Sequence, residues 1–269
     1  MKKTSLPPLS VTQTPGGVLR AGLLCLSLLF TAATASATTF TVTNTNNSGA
    51  GSLRQALTDA NGNGSSPHTI NITASGTITV TSELPAPVYA TTINGNGCTV
   101  SGGGTTRIFA SMQANGADIA VTINLLNFTA GNGSGGNGGA FEIRQGYRVT
   151  FTDCKFFSNT AIGFGGAICY NISGSQIGSM RPLVCTRCSF TSNSSTASHS
   201  GGVDNRNGDA TFTNCTFAYN TAAGAGGASS ATFSPSISKF INCTIANNSC
   251  ATASAGGGLQ LEGASSLLN

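Results

Sequence analysis

Side chains able to do chemistry are sparse in this 269-residue chain, which holds five Asp, three Glu and two His. Cleavage of a polysaccharide needs convergent carboxylates, for calcium or for acid/base work, with an Arg or Lys nearby. The densest candidate group is His199, Asp204, Arg206 and Asp209. Asp204 stands where other copies of a repeat, described below, carry Phe141, Ile168 and Leu259. A one-residue slip that turns Val203 inward accounts for it without catalysis. Paired aspartates and a Gly-His-Gly turn, the signature of polygalacturonase-type sites, are absent from the sequence.

The nine cysteines are the second chemical resource, and eight of them follow residue 37. An even number in an exported chain suggests disulfides. Cys169 and Cys185 flank an insertion that they would close as a loop, with Cys188 and Cys250 as competing partners. Cys185-Thr-Arg-Cys188 has the spacing of half a zinc site, but no second half exists, and His68 and His199 stand alone. The sequence therefore nominates no catalytic, cofactor-binding or metal-binding residue. Thr39, Thr41 and Thr43, and Thr77, Thr79 and Thr81, alternate as a flat ice- or mineral-binding array would. The later coils show no continued Thr-x-Thr column, so that function is not expected.

What positions these residues is a repeat. The frame Cys-x-Phe-x-x-Asn, a linker, then Gly-Gly occurs at Cys154, Phe156, Asn159 and Gly165-Gly166. It returns at Cys188, Phe190, Asn193 and Gly201-Gly202, and at Cys215, Phe217, Asn220 and Gly226-Gly227. Cys243, Ile245, Asn248 and Gly256-Gly257 form another copy, and Leu126, Phe128 and Gly138-Gly139 a looser one. The cysteines are spaced by 34, 27 and 28 residues, a period of repeat architectures. Segments such as 210–217 and 239–245 alternate apolar and polar side chains, rich in β-branched and aromatic types, and read as strands. The abundant glycine excludes helical solenoids. The expected fold is all-β: a right-handed parallel β-helix of about eight coils, stacked about 4.8 Å apart. Phe156, Phe190, Phe217 and Ile245 would form one inward ladder, and Cys154, Cys188, Cys215 and Cys243 another.

The pairing of Phe-x-x-Asn with Gly-Gly-Ala-Ile, as at Phe156 to Asn159 and Gly165 to Ile168, resembles the repeats of chlamydial polymorphic outer-membrane proteins and related bacterial surface β-helices. The resemblance runs from near Leu125 to the end. It implies a surface scaffold, with outer-membrane association through a carboxy-terminal part not present in this sequence. Gly51-Ser-Leu-Arg-Gln-Ala56 is similar to the Cys-Ser-Leu-Arg-Glu-Ala motif found ahead of many bacterial β-helices. Here Ser52 and Gln55 have the spacing of a capping box, and Leu53, Ala56, Leu57 and Ala60 share one face of a short helix that would shield the first coil.

Residues 1–37 read as a secretory signal peptide: Lys2, Lys3 and Arg20 precede the apolar run 21–30, and Ala35-Ser36-Ala37 supplies a cleavage site. Residues 38–269 form one β-helix domain. Ser266-Leu-Leu-Asn269 matches the approach Lys239-Phe-Ile-Asn242 that leads into Cys243, so a longer solenoid is expected. Three of the twelve basic residues and none of the eight acids lie in the signal, leaving nine bases against eight acids. That near balance gives no footprint for nucleic acid. The expected function is an exported, non-enzymatic scaffold, at the outer membrane or extracellular, making adhesive contact with a glycan or a host or matrix protein. The alternative is a polysaccharide-active β-helix lyase, hydrolase or epimerase.

Overall fold

A computed structural model describes residues 37–64, 67–114, 117–172, 182–233, 236–253, 255–261 and 267–268. Residues 1–37, read from sequence as a signal peptide, therefore lie outside the described residues apart from Ala37.

The chain winds into a parallel β-solenoid whose strands stack into four sheets. The first sheet has nine strands in sequence order: Thr38–Val42, His68–Ile72, Thr91–Asn94, Ile119–Asn124, Tyr147–Thr152, Leu183–Thr186, Asp209–Thr213, Ile237–Ile241 and Leu267–Leu268. The second has seven: Thr77–Thr79, Thr99–Ser101, Asn127–Thr129, Lys155–Phe157, Ser189–Thr191, Thr216–Ala218 and Thr244–Ala246. About seven turns thus carry both sheets, against the eight or so expected. Five two-residue strands make the third sheet, from Asn132–Gly133 to Ser249–Cys250. The fourth contains Phe141–Arg144, Ile168–Asn171, Val203–Arg206, Ser229–Phe233 and Leu259–Leu261.

Each element of the repeat frame falls at a defined place in the coil. Phe128, Phe156, Phe190, Phe217 and Ile245 pair in register on the second sheet. The rings of Phe156, Phe190 and Phe217 stack at 4.8 and 4.7 Å, nearly parallel. Burying each side chain contributes about 1.5–3 kcal/mol, and each stacked pair about 0.5–1.5 kcal/mol more. Asn159, Asn193, Asn220 and Asn248 form a third ladder. The side-chain amide of each of the first three donates to the Oδ1 of the next, at 2.8–3.0 Å. It also donates to the carbonyl of Phe128, Phe156 or Phe190. Buried backbone at the bend is thereby satisfied without water. The glycine pairs mark a third corner, where a Cβ on Gly201 would lie 2.5 Å from both backbone N and O of Thr221.

Several expectations need correction. Segments 210–217 and 239–245 are not single strands. Each breaks where Asn214 (φ 55°) or Asn242 (φ 51°) enters the left-handed region and hands the chain from the first sheet to the second. Leu125, Asp153 and Arg187 turn the same corner in other coils. Residues 107–110, Arg-Ile-Phe-Ala, read from sequence as a short strand but form no regular one; Phe109 makes an isolated bridge to Leu84. Leu267 pairs with Lys239 and Leu268 with Phe240, one residue out of the alignment expected from sequence.

The helix spans Leu53–Gly62, with Leu53, Ala56, Leu57 and Ala60 buried over the first coil. Only half of the capping box forms. Ser52 Oγ accepts from the Gln55 amide, while Gln55 Nε2 donates forward to Asp59 at 2.7 Å. Arg54 supplies the missing anchorage, donating to the carbonyls of Asn47, Ser82 and Glu83.

Candidate functional site

The acidic group singled out from sequence is split by the fold. In the fourth sheet Val203 pairs with Ile168, so Val203 takes the inward slot, as the slip required. Asp204 instead joins an outward column with Glu142, Cys169, Ser230 and Gln260. Outward here does not mean exposed. Both faces of this sheet are covered, and Asp204, Cys169 and Ser230 are fully buried.

Asp204 Oδ1 accepts from Ser230 and from Ser200, while Oδ2 has no hydrogen bond and lies 4.0 Å from Arg206 Nε. Burial lifts its pKa to about 7, against the opposing pull of the Ser230 hydroxyl, the Arg206 charge and the Ser200 hydroxyl. Two strands earlier in the same column, Glu142 is flanked by Arg107 at 3.5 Å and Arg144 at 3.9 Å. Between these carboxyls, burial and the two acids push the Cys169 thiol well above its usual range, so it stays protonated and is a poor nucleophile. The Arg206 guanidinium lies 3.9 Å from the centre of the Phe164 ring, which packs against His199 at 5.6 Å. Asp209 is not part of the cluster: it begins a strand of the first sheet and is exposed.

The cysteines of the frame form the expected column. Cys154, Cys188, Cys215 and Cys243 each direct Sγ at the carbonyl of an equivalent residue one coil back, Ile123, Phe151, Cys185 and Phe212, at 3.4–3.5 Å. Register extends the column to Leu126 and Cys98, which precede the paired strands Asn127–Thr129 and Thr99–Ser101. Cys169 and Cys185 are free thiols, as are the other described cysteines. They occupy different sheets, Cys169 in the fourth and Cys185 in the first, where it fills the slot of Phe151 and Phe212. The proposed loop closure is therefore not made, and neither competing partner takes its place. Among the described residues, no three His, Cys, Asp or Glu side chains converge to hold a metal ion.

Two surface features were not evident in the sequence. The first is a groove of about 360 Å³ along the corner between the first and second sheets, lined by Asp153, Lys155, Arg187, Ser189, Asn214 and Thr216, among others. Arg187 grips Asp153 through two bonds of 2.7 Å, which hold the Asp153 carboxyl below its ordinary pKa. A larger hollow of about 430 Å³, between the helix and the first strand, contains only one titratable side chain, Asp59. The second feature is on the outer face of the first sheet, where threonines do continue from coil to coil. Thr39, Thr69, Thr92, Thr122 and Thr150 pair in one unbroken column. Thr77 and Thr79 belong to the second sheet and have no part in it. The residues were in the sequence, but unequal coil lengths hid their alignment.

No family model matches the chain, and no curated protein was found to match it.

Proposed function

We propose that this chain is an exported, non-catalytic β-helix scaffold that makes adhesive contact with a glycan or a host or matrix protein. The observation that carries the proposal is the contrast between its two polar regions. The acid and thiol at Asp204 and Cys169 are buried inside the wall beside a partly exposed Arg206, whereas the open groove at Asp153, Lys155 and Arg187 offers donors and acceptors in fixed positions. The Asp153 pair holds the Arg187 fork in place before any ligand arrives, which lowers the ordering cost of a polar contact. Repetition along the solenoid suits weak contacts that add by multivalency. Export and placement at the outer membrane or outside the cell rest on residues 1–37 and on the resemblance to bacterial surface β-helices.

The test is binding of the purified chain to a glycan array and to extracellular-matrix proteins, beside a Lys155→Ala/Arg187→Ala variant. Loss of binding with unchanged circular dichroism supports the proposal. In parallel, pectin and alginate are incubated with the protein, with and without calcium. Release of new reducing ends or unsaturated products would establish the enzymatic alternative instead.

A further inference from the structure

The outer face of the first sheet presents a second, chemically different surface. Its first column is Thr39, Thr69, Thr92, Thr122, Thr150, Val184 and Thr211. Its second is Thr41, Asn71, Asn94, Asn124, Thr152, Thr186 and Thr213. Ten of these fourteen positions are Thr, three are Asn and one is Val. None is charged; the charges of this face stand in the next column, where Arg148 pairs with Asp118 and Asp209 is exposed, and at the neighbouring corner with Asp153, Lys155 and Arg187. The residues between them, from Ile70 to Phe212, point into the core, so the whole array faces outward. Lys239 and Ile241 close the two columns at the next strand.

The array is also geometrically regular. Parallel strands repeat about every 4.8 Å, and alternate residues along a strand about every 6.7 Å. A β-branched side chain has few χ1 options, so methyl and hydroxyl groups recur at nearly fixed positions. The asparagines are tied to each other, Asn124 Nδ2 to Asn94 Oδ1 at 3.1 Å and Asn94 Nδ2 to Asn71 Oδ1 at 2.8 Å. This gives a rigid, uncharged lattice of alternating methyls and hydrogen-bonding groups.

We propose that this face binds ice. Its two repeats lie close to the two translations by which a prism face of ordinary ice repeats. Hydroxyls and amides can hold water at lattice points, and the methyls between them order the intervening first shell. A charged side chain would instead impose its own hydration shell. The array's neutrality therefore complements an uncharged crystal of water. A crystalline polysaccharide is the nearest competing occupant, but stacking on sugar rings calls for flat aromatic side chains, and none stands in either column. Each contact with water is weak, and adsorption comes from many made at once. This inference is independent of the function proposed for the groove, since the two surfaces share no residue.

Thermal hysteresis, ice-crystal shape and ice recrystallisation are measured on the purified chain. Faceted crystals, a hysteresis gap and inhibited recrystallisation are expected. Thr122→Lys, at the centre of the array, should abolish them with unchanged circular dichroism, while Thr191→Lys on the second sheet should not. Thr92→Lys takes the place of Thr122→Lys if the latter misfolds. The proposal is overturned if the unmodified chain lacks hysteresis, or if Thr191→Lys removes as much of it as Thr122→Lys. Retention on microcrystalline cellulose or chitin that Thr122→Lys eliminates would give the face to a solid polysaccharide and overturn it too.

Discussion

Replacing Asp204 by asparagine removes one proton-binding group and almost no volume. In the native chain this carboxyl is fully buried, with Oδ1 bonded to Ser200 and Ser230 and Oδ2 facing Arg206. Burial raises its pKa from an ordinary 3.8 to about 7. Across that window the native state holds a proton that the unfolded chain has released. The slope of unfolding free energy with pH follows protons bound in the unfolded state minus those bound in the native state, which is negative here. The contribution is therefore fully present below 3.8 and is lost as pH rises through about 7. At 1.36 kcal/mol per pH unit, the span corresponds to roughly 4 kcal/mol.

Urea unfolding of both proteins at about pH 4 and about pH 8 reads this directly. Asparagine keeps an oxygen for Ser200 and Ser230 and does not titrate. Stability of the native protein minus that of Asp204→Asn should fall by roughly 4 kcal/mol between the two conditions. The Cys169 thiol, held protonated by burial and its acidic neighbours, does not interfere. Parallel pH curves for the two proteins would refute the assignment of a buried, proton-holding carboxyl.

Asn193→Ala should be among the most damaging single truncations. It leaves the Asn159 backbone N–H without its acceptor and removes two side-chain bonds, from Asn159 Nδ2 to Asn193 Oδ1 and from Asn193 Nδ2 to the Phe156 carbonyl. The orphaned N–H costs about 1–3 kcal/mol and each lost side-chain bond about 0.5–1.5 kcal/mol, so the urea midpoint should report a loss on the order of 4 kcal/mol. Thiol alkylation followed by peptide mapping should mark the half-exposed Cys243 and Cys250 before any buried cysteine, with Cys169 and Cys185 modified only after denaturation in the absence of reductant. A cross-linked Cys169–Cys185 peptide from native protein would contradict this.

The inward ladders were legible because one coil sees the next through the same side chain. A Phe, Cys or Asn that must pack against its own counterpart recurs at a spacing the eye can follow. The corners were not legible. Leu125, Asp153 and Arg187 adopt positive φ without being glycine, and only the hydrogen-bonded corner enforces that conformation. Alternation continues through it, which is why 210–217 looked like one strand. Asp204 shows a different limit. Its slip was visible in the sequence, but its burial was not, because alternation assigns an outward side chain to solvent unless a loop covers it. The threonine face failed for a third reason. Thr39, Thr69, Thr92, Thr122 and Thr150 follow at steps of 30, 23, 30 and 28 residues, so only the strand register brings them into line.

These differences have one physical origin, the division of labour across each strand. Inward residues such as Phe151 and Phe190 contact the coils above and below, so a truncation there removes burial and stacking together, at about 3–5 kcal/mol. Outward residues such as Thr122 and Thr191 touch only their neighbours in a column, and surface substitutions of that kind usually stay within about 0.5 kcal/mol. The outer faces can therefore diverge in chemistry while the stack persists. One corner can hold Asp153, Lys155 and Arg187 while two columns of the adjacent sheet stay uncharged over seven strands, and a lysine at Thr122 can remove a surface function without unfolding the protein that carries it.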